Sequence, residues 1–415
     1  MSSSAADHAE RLAGVEAAFR TLPERFLGVE PGFAATWRIV LGDIGHTWEV
    51  SCTEHTARVR TGATIDRPDV VIGTDSETWL ALRHGELSGL EAFNQRRLYA
   101  RGNLDLAVAF EGLFRREDGR PPLMRVHDVH LSGRRVSTLT IGSGPDVLLI
   151  HGLGGAKSSF FDIAPMLAER YRVHAIDLPG FGSSSKPPLA PYNARWFAET
   201  VRETMNALGI QRAHVAGNSM GGRVAIEFAL REPERVSGLA LLCPAVAFVK
   251  RSYHPLVRLL RPEFGLLPHR FTRSVVENHF WSLFADRDQI DPSVADLVVD
   301  EFQRIYSSAG ARTAFLASAR NIYLDEPYGD NGFYPRLGEL DVPSLWVWGS
   351  HDTVIPPAFK RHVEQWLPGA EQIVLDGCGH VPQVERAEQT TGLLQRFFAR
   401  VDALGGSAGR VRQAA

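Results

Sequence analysis

At 415 residues the chain is too long for one typical domain, and two or three are expected. Its 45 Lys and Arg nearly balance its 48 Asp and Glu, so the formal net charge is only -3. That balance argues against nucleic acid or an anionic membrane surface as the main partner of the whole chain. Three cysteines, Cys52, Cys243 and Cys378, lie far apart with no CxxC or Cys/His spacing. They predict free thiols in a reducing, cytoplasmic compartment and no metal site. The first residues, Met1 to His8, have no basic n-region or apolar h-region, so no signal peptide is expected. No apolar run approaches a membrane span, so a soluble protein without integral membrane association is expected.

Residues 1 to about 12 are Ser/Ala-rich and expected to fray. Trp37 to Leu41, His46 to Cys52 and Ala57 to Arg60 alternate as half-buried strands do, with a hairpin turn over Leu41 to Gly45. Val70 to Ile72 reads as a short buried strand, and Ser76 as the N-cap of a following helix. Leu106, Phe110, Leu113 and Phe114 mark one apolar face of a further helix. Asp118-Gly119-Arg120-Pro121-Pro122 is turn-rich and the best domain boundary. Beyond it, Arg135 to Ile141 alternates and Val147 to Ile150 is a continuous apolar strand. A helix over Phe160 to Arg170, a strand over Tyr171 to Ile176 and a helix over Ala194 to Leu208 follow. Strands over Ala213 to Ala216 and Val236 to Leu242 continue a β-α alternation that predicts a parallel α/β sheet. From about Ala245 to Leu340 the alternation gives way to a helical insertion rich in aromatics (Phe248, Tyr253, Phe264, Phe271, Phe280, Trp281, Phe284). Strands return at Ser344 to Trp348 and Gln372 to Leu375. A last helix is expected over Arg386 to Leu404, then an unstructured tail.

The chemistry centres on Gly217-Asn218-Ser219-Met220-Gly221, between a strand and a helix. This is the form of a nucleophile elbow, which pushes the Ser219 hydroxyl clear of the backbone. The turn is tight enough that Gly217 and Gly221 can carry no side chain. Ser219 needs a base, and the base needs an acid to orient it, in the chain order Ser, acid, His. Asp352, on a Gly-Ser turn after the strand ending at Trp348, fits the acid; Asp376 lies too close to the histidine to orient it. His254, His269 and His279 precede Asp352, and His351 adjoins it. His362 falls in a helical stretch, which leaves His380, on the glycine-rich loop Asp376 to Pro382. His151-Gly152-Leu153-Gly154-Gly155 follows a strand, so the N–H groups of Leu153 and Met220 are the expected oxyanion donors. Gly154 to Ser158 is not a phosphate loop, because Ala156 stands where that motif needs glycine.

The N-terminal run of strands, Trp79, Gly85-Glu86-Leu87, Ala92 and Arg101 to Ala107 resembles the sterol-carrier-protein domain, here over 15–118. The resemblance implies an apolar tunnel for a lipid; a closed, packed core is the equal alternative. From about Met124 to Leu404 the chain resembles the α/β-hydrolase family. The marks are His151 to Gly155, Asp177-Leu178-Pro179-Gly180-Phe181-Gly182, Gly217 to Gly222, Gly349-Ser350-His351-Asp352 and Gly379-His380. It implies a mostly parallel sheet with a helical cap at about 246–340, beside a smaller α+β domain. Serine at the elbow argues against epoxide hydrolases and haloalkane dehalogenases, which use aspartate there. Asn218 to Gly222 is similar to the elbow of C–C bond hydrolases, but Gly154-Gly155 replaces the proline usual in their oxyanion loop. The reading is a serine hydrolase, without cofactor or metal, cleaving a small apolar or lipid-like ester through an acyl-enzyme. A C–C bond or thioester hydrolase, or a lipid-binding or transfer protein, are its alternatives.

Overall fold

The structure is a computed structural model describing residues 2–249, 257, 261–267 and 271–413; Tyr253, His254 and His269 lie outside the described residues. The chain forms two compact units, Met1–His127 with Thr140–Gly142, and Asp128–Leu139 with Ser143–Ala415.

The first unit holds strands β1 (Ala34–Leu41), β2 (His46–Thr53), β3 (Thr56–Thr61), β4 (Val70–Thr74) and β5 (Leu98–Gly102), in the order β3-β2-β1-β4-β5. β1 and β2 pair antiparallel across the expected hairpin, while β1 and β4 are parallel. In β1 every second residue from Ala35 to Leu41 is buried, the period that places one face on a core. β5 was not legible as a strand, because Leu98-Tyr99-Ala100-Arg101-Gly102 alternates weakly and ends in glycine.

The expected fraying at the N-terminus is corrected: a helix runs over Ser2–Thr21. Val15, Phe19 and Leu22 are fully buried in the core, and the Phe19 ring stacks on both Trp48 (4.4 Å) and Trp79 (4.5 Å). Once packing anchors its C-terminal half, extending a helix backwards is far less costly than starting one. Trp37, Trp79 and Phe114 are also buried, and Trp37 Nε1 donates to Leu106 O at 2.9 Å. Aromatic rings therefore occupy the apolar space of this unit. A second correction concerns the cap of helix Ser76–His84. Asp75, not Ser76, is the N-cap, accepting from Thr78 N at 2.7 Å, while Ser76 N donates to Asp43 at 2.9 Å.

Two carboxylates give this unit opposite pH responses. Desolvation pushes Glu111 up to about 7, although Gly89 N and Met124 N donate to it. Glu49 is held down at about 2: the Thr64 hydroxyl, Arg38 and the N–H groups of Ile65 and Thr64 outweigh its desolvation. A raised folded pKa means the native state keeps a proton that the unfolded chain loses, so Glu111 lowers stability as pH rises from the ordinary carboxylate range to about 7. Glu49 contributes stability above that range, lost as pH falls toward about 2. The unfolding midpoint of this unit is expected to be highest near the ordinary carboxylate pKa, and Glu111→Gln should flatten the limb between there and neutrality. Tryptophan-detected melts across pH check it.

A separate eight-stranded sheet is formed by β6 (Met124–Leu131), β7 (Arg134–Gly142), β8 (Asp146–Ile150), β9 (Arg172–Ile176), β10 (Ala213–Asn218), β11 (Val236–Leu242), β12 (Ser344–Gly349) and β13 (Glu371–Leu375). The sheet order is β13-β12-β11-β10-β8-β9-β7-β6, and from β9 through β13 each neighbouring pair is parallel. β10 is buried at every residue, which explains its continuous small and apolar sequence. The helix expected over Phe160 to Arg170 is instead a 3-10 turn, Lys157–Phe160, and a short helix, Ala164–Ala168. Pro165 lacks an N–H and is tolerated only in a first turn, so it sets the later start. The final helix runs over Ala387–Gln413, past Leu404 where a tail was expected, since elongation of an existing helix adds a hydrogen bond per residue. Between β11 and β12 lie helices Arg273–Trp281, Pro292–Tyr306, Ala309–Leu324 and Phe333–Leu337. Among the described residues no helix is long and apolar enough to cross a membrane.

Candidate active site

β10 delivers Ser219 to the sharp turn before helix Met220–Arg231. Its backbone, at φ 52 and ψ -116, is a conformation that a non-glycine residue adopts only when its surroundings impose it. The surroundings do. A Cβ on Gly217 would meet the Gly221 carbonyl carbon at 2.4 Å, and one on Gly221 would meet Ile150 O at 2.0 Å. Ser219 N donates to Leu242 O at 3.0 Å, and its carbonyl accepts from Ala245 N at 2.8 Å. The strain is stored by the two neighbouring strands.

Asp352 and His380 arrive from the ends of β12 and β13. Gly349 and Gly379 let these loops touch, since a Cβ on Gly349 would lie 2.0 Å from Gly379 O. Asp352 Oδ2 stands 2.7 Å from His380 Nδ1, and both residues are about 5 % exposed or less. The other oxygen, Oδ1, accepts from Val354 N (2.8 Å) and Ile355 N (2.9 Å), so the carboxylate cannot swing. Nδ1 is thereby directed to Asp352, leaving Nε2 for chemistry. Among the described residues no hydrogen bond joins Ser219 Oγ to His380. Asn218 links them instead, its Nδ2 donating to His380 O (3.1 Å) and Leu242 O (3.0 Å).

Leu153 and Met220 flank the same point. Gly152 lies so near the elbow that a Cβ there would be 3.2 Å from Ser219 Cβ. Met220 opens its helix, where an N–H has no intrahelical acceptor, and Leu153 N donates to no backbone carbonyl among the described residues. The loop is braced from below. His151 Nε2 accepts from Leu178 N at 3.0 Å, so its proton sits on Nδ1, 2.7 Å from Gly152 O. Burial holds His151 below the ordinary imidazole pKa, keeping it neutral. Lys157 Nζ meets Asp177 Oδ2 at 2.8 Å with both side chains fully buried, and Lys157 N and Ser183 N also donate to that carboxylate. Burial alone would raise the pKa of Asp177, but Lys157 holds it below the usual range. Lys157→Met strands this carboxylate. It is expected to cost about 3–5 kcal/mol, read as the shift in urea midpoint of the second unit.

Three groups near the pair were not foreseen from sequence. Glu385 is buried and accepts from Gly379 N (2.5 Å), Ala285 N (2.8 Å) and Asp286 N (2.8 Å), clamping the histidine loop to the cap; His380 N also donates to Leu283 O at 2.7 Å. Nothing in Val381-Pro382-Gln383-Val384-Glu385 marks that glutamate as buried, because two of its N–H donors, Ala285 and Asp286, come from a segment about a hundred residues away. Cys243 brings its Sγ within 4.8 Å of ligand atoms of Asp352 and His380. Burial first, then the Asp352 charge, pushes this thiol well above its ordinary pKa, so it is an inert neighbour and not a thiolate ligand or nucleophile. His279 lies on helix Arg273–Trp281, its pKa lowered by desolvation and by His380. His362 sits on helix Lys360–Trp366, as expected.

The cap closes over the oxyanion loop with aromatic rings. A Cβ on Gly154 would meet Phe315 at 3.2 Å and Phe302 at 3.4 Å, and Phe271, Phe302, Tyr306 and Phe315 form one ring cluster. This arrangement offers a serine near an oriented imidazole, two candidate backbone donors and an apolar roof, a set suited to acyl transfer.

Comparison with known proteins agrees with this geometry. Residues 145–387 match the alpha/beta hydrolase fold family and residues 31–115 the SCP-2 sterol transfer family. The chain belongs to the α/β-hydrolase family, as a serine hydrolase of the esterase and lipase type that also carries an SCP-2 domain. A pimeloyl-(acyl-carrier protein) methyl ester esterase of Aeromonas hydrophila is 28% identical over 264 residues, 63% of this chain and 98% of the relative. A 2-hydroxymuconate semialdehyde hydrolase of Pseudomonas putida is 32% identical over 289 residues, 67% of this chain and 95% of its own length. The crystal structure of a membrane phospholipase A described as a bacterial virulence factor shares 32% identity at a TM-score of 0.57, covering 68% of this chain and 87% of that one.

Proposed function

We propose that the chain cleaves an apolar, lipid-like carboxylic ester through an acyl-enzyme on Ser219. The observation that carries this is the 2.7 Å Asp352–His380 pair beside a serine held at φ 52. Ser219 Oγ attacks the acyl carbon while His380 Nε2 takes its proton, and the charge on the carbonyl oxygen falls to the N–H groups of Leu153 and Met220. His380 then gives that proton to the departing alkoxide, and the alcohol leaves. Water, deprotonated by the same nitrogen, attacks the acyl-enzyme and releases the acid and free Ser219. Asp352 keeps His380 in the required tautomer and stabilises its cationic form.

The apolar roof supports the substrate class. Phe271, Phe302 and Phe315 present no charge to an acyl chain, and the SCP-2 match gives a second unit whose family concerns sterol transfer. In this reading 15–118 is a lipid-handling domain, 124–404 the hydrolase and 246–340 its cap, working in the cytoplasm where three free cysteines persist. A second reading, hydrolysis of a C–C bond, draws on the Asn218-Ser219-Met220-Gly221-Gly222 elbow and the Pseudomonas relative. Turnover on p-nitrophenyl esters of increasing acyl length, acyl thioesters and a meta-cleavage diketone separates them. The ester reading expects kcat/KM to rise with acyl length and exceed the others; preference for the diketone overturns it.

A further inference from the structure

We propose that Glu385 is a positioning residue for His380, and that it acts by fastening the histidine loop to the cap at residues 283–286. This deepens the serine-hydrolase reading and rests on it, since it concerns the group that takes the proton of Ser219. His380 Nε2 must serve two atoms in turn, Ser219 Oγ and the leaving oxygen. A misplacement of about 1 Å at such a group can cost a hundredfold in rate. Asp352 fixes which way the ring turns, through Nδ1 at 2.7 Å. Where the loop itself lies is decided by other contacts.

On the elbow side, Asn218 Nδ2 donates to His380 O at 3.1 Å. On the other side the ties lead to the cap. His380 N donates to Leu283 O at 2.7 Å. Gly379 N donates to Glu385 Oε2 at 2.5 Å, while Glu385 Oε1 accepts from Ala285 N and Asp286 N, both at 2.8 Å. A buried carboxylate needs such donors to offset its desolvation, and here two separate segments supply them. Both oxygens are thereby engaged, so Glu385 is not a second acid for the imidazole. Arg386 repeats the link, donating to Gly377 O at 2.6 Å and to Gln289 Oε1. The fit is close, because a Cβ on Gly379 would meet Leu283 O at 2.3 Å and Ala285 N at 2.8 Å. Apolar packing adds to it: Phe284, Ile290 and Ala295 cluster with Leu283, Val381 and Val384. The histidine loop and this stretch of the cap therefore move together, and a cap displaced there carries His380 away from Ser219.

Glu385→Gln isolates the link. Its amide oxygen keeps the two donors Ala285 N and Asp286 N, which turns its NH₂ toward Gly379 N and sets donor against donor. On a water-soluble p-nitrophenyl ester, kcat is expected to fall about a hundredfold with KM nearly unchanged. The rate of fluorophosphonate labelling of Ser219 should fall with it. In a His380→Ala background the same substitution should change the residual turnover by less than about twofold, because no histidine is left to position. A purely structural role would lower both backgrounds alike. Arg386→Met, which breaks the parallel link alone, should show the same pattern at roughly tenfold, and it carries the test if circular dichroism shows Glu385→Gln unfolded. Unchanged kcat and labelling in the folded variants, or an equal loss in both backgrounds, overturns the proposal. So does a rise in KM with kcat intact. Labelling that responds as described, in a protein that turns over no ester, would count against the ester reading alone.

Discussion

Ser219→Ala is expected to lower ester turnover on the order of 10⁶-fold and to abolish labelling by a fluorophosphonate. The effect is this large because the elbow offers no substitute. Cys243, whose Sγ lies within 4.8 Å of ligand atoms of Asp352 and His380, is buried with its pKa driven well above the thiol range. The elbow geometry survives the change, since the turn is imposed by Gly217, Gly221 and the bonds of Ser219 N and O, none of which involves the hydroxyl. KM should therefore change little, and circular dichroism should match wild type. Turnover within a hundredfold of wild type would remove Ser219 from the mechanism.

Asp352→Asn is expected to lower kcat by about 10⁴ while barely changing the fold. The direction follows from hydrogen bonds already present. Val354 N and Ile355 N both donate to Oδ1, so the amide oxygen of an asparagine takes that position and its NH₂ faces His380 Nδ1. Nδ1 must then accept, which puts the imidazole proton on Nε2, where it can no longer receive the proton of Ser219. The loss should fall on kcat and not on KM, and the unfolding midpoint should stay near wild type. An activity within tenfold of wild type would assign the orienting role to another acid.

Much of this was legible in local chemistry. Gly-x-Ser-x-Gly between a strand and a helix describes a turn that only small residues permit, and the structure places Ser219 at a positive φ there. Asp352 and His380 could be selected by chain order, since each follows a strand on a short glycine-bearing loop. Strands with an unbroken apolar run, such as β8, β10 and β11, were readable because both of their faces are buried. Where packing overrode local signals, the reading failed. The N-terminal helix is held by Phe19 between Trp48 and Trp79, partners at least twenty-nine residues away. Asp75 displaced Ser76 as a cap because Asp43, from the β1–β2 turn, occupies the serine.

The amino-acid sequence by itself determined the α/β-hydrolase class, the order of the strands' chemistry and the three side chains proposed for the site, because each depends on a tight turn or a strand end that a few residues specify. Only the tertiary structure decided what braces and covers them. Glu385 accepts from Ala285 and Asp286, Lys157 reaches Asp177, and Phe302 and Phe315 come down on Gly154. A buried charge is stable only with its partner and a ring only against its neighbours, and those partners come together only when the chain has folded.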